Sequence, residues 1–97
     1  MRSVKDKLID FVFRHESDQP QTVKDLIAAT YATASQLRED CSELAARRYR
    51  RGEHRLKTCW EMHISEPQYY KLLSKFLMTA REIFDAEPVA RAKVEAF

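Results

Sequence analysis

Ninety-seven residues suffice for one small domain with a modest core, not for a catalytic domain beside a binding domain. With 44% hydrophobic and 33% charged residues, one Gly and three Pro, the composition excludes a disordered or low-complexity chain and points to a helix-rich globule. The net charge is only +2, yet RRYRRGEHRLK at 47 to 57 sets six Lys/Arg against one acid, so the rest of the chain is net negative.

Over residues 3 to 15, Val4, Leu8, Phe11, Val12 and His15 recur at three and four with charges between them, which predicts an amphipathic first helix. HESDQPQ then breaks the pattern. Thr22 stands as an N-cap with Asp25 three residues on, opening a short second helix with Val23, Leu26 and Ile27 inward. Thr33 and Gln36 repeat the cap spacing, and Leu37, Cys41 and Leu44 then line one face of a third helix to about Arg48. A connector of about four residues would let helices two and three meet steeply, as in a helix-turn-helix.

Past Gly52 the period becomes two. His54, Leu56, Thr58, Trp60, Met62 and Ile64 share a largely apolar face, which predicts a half-buried strand. Arg48-Tyr49-Arg50-Arg51 is compatible with a partner strand, and the only glycine lies where a hairpin must reverse. Ser65-Glu66-Pro67-Gln68 then starts a long last helix with a cap, an early acid and an early Pro. Its stripe is Tyr69, Leu72, Leu73, Phe76, Leu77, Ala80, Ile83 and Phe84; Pro88 interrupts it, and 89 to 97 suit a final short helix.

The order of helix, helix, helix, basic hairpin and helix resembles the winged-helix family of helix-turn-helix DNA-binding domains. The resemblance covers about residues 3 to 64 and is carried chiefly by TASQLREDCSELAARRY at 33 to 49. The LIAAT stretch at 26 to 30 is also similar to small winged-helix accessory proteins of temperate phages. The resemblance implies a mainly α fold with a small β-hairpin: a winged domain over 1 to 64 and a C-terminal helical extension over 65 to 97.

It also implies that helix three approaches the major groove and that the hairpin wing grips phosphates. The contacts would be Thr33, Ser35, Gln36 and Arg38 near the helix, and Arg47, Arg48, Arg50, Arg51, His54, Arg55 and Lys57 on or beside the wing. Arg and Lys bind phosphate by charge and counterion release, whereas Glu39, Asp40 and Glu43 on helix three oppose it.

Other signals have plain explanations beside functional ones. Cys41, His54, Cys59 and His63 are possible zinc ligands, yet they lack a close C-x-x-C pair and lie on different faces, so no metal and no cofactor is expected. Two unpatterned cysteines fit a reducing compartment, and no signal peptide or apolar span is seen, so the expected location is cytoplasmic. Trp60 shares strand parity with Leu56 and Met62, which predicts core packing rather than a stacking platform. Tyr31, in the expected turn, suits a phosphate contact or a structural cap. No glycine-rich phosphate loop or nucleophile-base pair appears, so the chain is not expected to be an enzyme.

The sequence thus predicts a DNA-binding regulator, with two rival readings: a module that binds another protein through acidic helix three or the last helix, and an RNA binder using the same wing. The last helix predicts a homodimer through Tyr69, Leu72, Leu73, Phe76, Ala80 and Ile83; packing on helix one within the chain is its other reading.

Overall fold

A computed structural model describes residues 4–86 and builds them into five helices. The first is α1 at Val4–Arg14, and a single 3-10 turn at Glu16–Asp18 carries the chain to α2 at Gln21–Leu37. Next come α3 at Glu39–Ala45, a π-helical turn at Ala46–Arg50, α4 at Arg55–Met62 and α5 at Glu66–Asp85. The expected break at Pro88 and the short helix at 89 to 97 lie outside the described residues.

The β-hairpin is not there: among the described residues there is no strand, and the mainly helical expectation holds without a wing. Its first half is the π-helical turn, in which the Arg51 N–H donates to the Ala46 carbonyl at 3.1 Å. Its second half is α4, built from residues with no Pro or Gly among them and with good helix formers in Arg55, Leu56, Lys57, Glu61 and Met62. His54 caps it, its Nδ1 accepting from the Leu56 N–H at 3.1 Å. His63 ends it in the left-handed region, with Ile64 N–H donating to the Cys59 carbonyl at 3.0 Å and His63 N–H to that of Trp60 at 3.4 Å. That pair of bonds is a Schellman closure.

The boundary between helices two and three also moves. α2 runs through residues 28 to 33, where alanines alternate with Thr and Tyr and nothing breaks a helix. Pro20 is its N-cap, so Thr22 is not, and Thr33 lies inside the helix rather than at a start. The chain bends instead at Arg38, whose φ of −159° and ψ of 106° are extended. α3 begins just after it with Glu39 and Asp40 in its first turn, where the helix dipole favours acids.

α5 forms as its sequence signals indicate. The Gln68 N–H donates to Ser65 Oγ at 3.3 Å and the Ser65 N–H to Gln68 Oε1 at 2.9 Å, closing the capping box. Its stripe of Tyr69, Leu72, Leu73, Phe76, Leu77, Ala80 and Phe84 is buried, and α1, α2, α3 and α4 all pack against it. Phe76 lies 5.3 Å from Phe13 of α1 and 5.2 Å from Tyr31 of α2, ring centre to ring centre. Each such buried ring contributes roughly 1.5–3 kcal/mol by leaving water. Cys41 and Leu44 join this core as expected, whereas Leu37, expected beside them, is 71% exposed at the end of α2.

Candidate functional site

Seven of the expected nucleic-acid contacts fall between 47 and 57, and most are held by acids of the same chain. Arg47 Nη1 donates to Glu53 Oε1 at 3.0 Å and to Glu61 Oε2 at 2.7 Å. Glu53 also accepts from Thr58 Oγ1 at 2.8 Å. Burial alone would raise the Glu53 carboxyl, but the bonds from Thr58 and Arg47 outweigh it and hold the group below its ordinary range.

Arg48 turns toward the core. Its Nη1 donates to the Tyr69 hydroxyl at 3.1 Å and its Nη2 to Asp10 Oδ1 at 3.2 Å, while the Tyr49 hydroxyl donates to that same oxygen at 2.6 Å. Arg14 Nε reaches Asp10 Oδ2 at 2.8 Å. Burial works to raise the Asp10 carboxyl, yet the bond from Tyr49 and then those of the arginines keep it low. Burial, and after it the bond to Asp10, pushes the Tyr49 hydroxyl well above its usual value.

Arg50 donates through Nε and Nη2 to the two oxygens of Glu16, each at 3.3 Å, and its guanidinium lies 4.0 Å from the centre of the Tyr31 ring. Burial pushes the Tyr31 hydroxyl up to about 12. Arg55 donates to the Tyr70 hydroxyl at 2.9 Å and approaches Glu66 at 3.8 Å. Lys57 stands 4.0 Å from Glu61 on the surface, and His54 is the cap of α4. Arg51 alone of the arginines and lysine in this group is exposed with no ion pair among the described residues.

The helix-three contacts are dispersed. Thr33, Ser35 and Gln36 belong to the end of α2, and Arg38, at the bend, forks onto Asp40 with both bonds at 3.0 Å. No single helix carries Thr33 to Arg48, so the expected recognition helix is split in two. The expected dimer residues Tyr69, Leu72, Leu73, Phe76 and Ala80 are buried within the chain, and Ile83 packs partly buried on the same core. Their stripe is as wide as it is because four helices share it, which answers to packing in cis.

What strand parity concealed is the outer face of α4. Thr58 and Cys59 point inward with Met62 packed beside them, whereas Leu56 is 53% and Trp60 82% exposed. Four residues apart on a helix, these two side chains adjoin. The expectation of a core Trp60 is therefore corrected; a helical phase for 55 to 62 with Thr58 and Cys59 inside would have revealed it.

Among the described residues no group of three or more His, Cys, Asp or Glu could hold a metal, and none of the helices is long and apolar enough to cross a membrane. Cys41 and Cys59 are separate, buried thiols, each pushed above its ordinary value by burial. Comparison of the chain with protein families, characterised proteins and solved structures gives no match.

Proposed function

We propose that this chain is a non-enzymatic binding module that docks onto another protein through the outer face of α4. The observation that carries the reading is the outward pair Leu56 and Trp60 on a helix whose inner face holds the smaller Thr58 and Cys59. Water penalises that arrangement, and a partner that covers both side chains removes the penalty. Tryptophan is the residue type most often found at the energetic centre of protein interfaces, where truncation costs about 2 kcal/mol or more. Lys57, one turn before it on the same helix, and Glu61 beside it are exposed and suit a polar rim.

The arginines themselves favour this reading over a nucleic-acid grip. To neutralise phosphates, Arg47 and Arg48 would first give up Glu53, Glu61 and Asp10. Exposed acids on Glu39 and Glu43 add repulsion.

The test places a photo-crosslinking residue at position 60 and, as a control, at exposed position 74 of α5. Position 60 is expected to give one identified protein adduct in cells and position 74 none. The purified partner should then bind Trp60→Ser about 30-fold more weakly than the natural chain. Titration of a labelled random-sequence duplex at several salt concentrations supplies the opposing outcome. Steeply salt-dependent binding that Trp60→Ser leaves unchanged would replace the protein-docking reading with phosphate binding through Arg51 and Lys57.

A further inference from the structure

A concave feature lies apart from α4, where the end of α1, the 3-10 turn, the first turn of α2 and the π-helical turn meet. Its volume is about 450 Å³, and Arg14, Lys24 and Arg50 line it together with one acid, Glu16. That is a size ordinary for small-ligand sites. Phe13 and Tyr49 form part of its wall, and Ser17 adds a hydroxyl.

Two of the three cations are already oriented. Arg14 is fixed through Nε by Asp10 at 2.8 Å, and its Nη groups make no hydrogen bond among the described residues. Arg50 is pinned by Glu16 on one edge and by the Tyr31 ring on its face, at 4.0 Å, which leaves Nη1 unspent. Lys24 has no ion pair among the described residues and stands in the first turn of α2, whose N-cap, Pro20, offers no side-chain acceptor. The positive end of that helix dipole therefore adds to the local field. Three cations against one carboxylate leave the lining two charges in excess, the complement of a phosphate monoester, which carries about −1.5 to −2 near neutral pH.

We infer that this cleft binds the phosphate group of a small phosphomonoester, held between Lys24, Arg14 and Arg50. Glu16 is its internal competitor, because it occupies the Arg50 edge that the phosphate shares. The site uses none of the α4 residues, so it stands or falls independently of the docking face.

The experiment is an amide NMR titration of the full chain with inorganic phosphate and with phenyl phosphate, replacing chloride at constant ionic strength. Saturable shifts confined to residues 13 to 17, 24 and 49 to 50 are expected with both probes. Lys24→Gln should weaken binding about tenfold, and Glu16→Gln should strengthen it several-fold by removing the competing carboxylate. A generic surface cation cluster would not give opposite signs for these two changes. Shifts that fail to saturate, that are the same in chloride, or that Glu16→Gln weakens would overturn the inference, as would indifference to Lys24→Gln with the fold intact.

Discussion

The stretch from 46 to 62 contains two adjoining regions that distribute their residues in opposite senses. In the π-helical turn, Arg47 and Arg48 are turned onto acids of the chain and Tyr49 is buried; in α4, Leu56 and Trp60 are turned toward solvent. Residue type alone would assign the first region to the surface and the second to the core. The difference shows that helical phase, together with the acids brought within reach by α1 and α4, decides which groups remain available to a partner. A run of charge is open to a partner only through the donors that its own ion pairs leave unspent.

The largest effect that bears on this contrast is expected on the inward side. Asp10→Asn leaves Arg48 and Arg14 without their shared carboxylate and should cost about 3 kcal/mol at neutral pH, measured by urea denaturation. The same measurement across pH sharpens the point. A carboxyl held low in the folded state binds fewer protons than in the unfolded chain, so its stabilisation is complete above the ordinary value of 3.8 and is lost as pH falls through the lower folded value. The natural chain should therefore lose stability below about pH 4, and Asp10→Asn should flatten that loss. Equal stability of variant and natural chain at pH 7 would mean that the arginines are not anchored there.

A smaller effect is expected at the joint between the regions. Gly52 has a φ of +63°, and a Cβ built there meets no atom within 4 Å. Gly52→Ala should thus cost about 1 kcal/mol from the backbone alone, whereas a D-alanine introduced by peptide ligation should cost nothing. A loss of several kcal/mol for both would show that the joint is packed rather than merely turned.

The smallest effect belongs to the outward side. Leu56→Ser and Trp60→Ser should each change folding stability by no more than about 0.5 kcal/mol, against roughly 3–5 kcal/mol for Phe76→Ala in the core. A core-sized loss on removing Trp60 would erase the contrast and return that ring to a structural role.

How far the sequence disclosed this arrangement depends on what each signal required. α5 was legible because its stripe faces the core, and the Ser65 box needs only residues three apart; α1 was legible as a helix, but its inner face is Ile9, Val12 and Phe13, whereas Phe11 and His15 of the expected stripe are exposed. Residues 54 to 64 were not, because they satisfy two periods at once. Strand parity gathers Leu56, Trp60, Met62 and Ile64 on one face and so looks the better solution; the helical solution leaves Leu56 and Trp60 in water, a choice that local propensity does not anticipate. The continuation of α2 through Thr33 was hidden by a cap-like spacing in a segment whose alanines favour helix regardless. The basic segment was located correctly along the chain, yet its neutralisation was not, since Arg48 meets an acid 38 positions earlier. Contacts of that separation are set by how α1 and α5 pack.

The π-helical turn has one more consequence, and it concerns descent rather than binding. The loop closed by the Arg51 N–H and the Ala46 carbonyl holds one residue more than an α-turn does. Removing Ala46 lets that loop close as an α-turn while the residues before and after it keep their angular positions. A deletion elsewhere in α3 would rotate Cys41 and Leu44 off the core by about a quarter-turn. In any lineage that shares this chain's ancestor, single-residue changes of length belong at 46 to 50, and an alignment that opens its gap earlier will set core positions against surface ones.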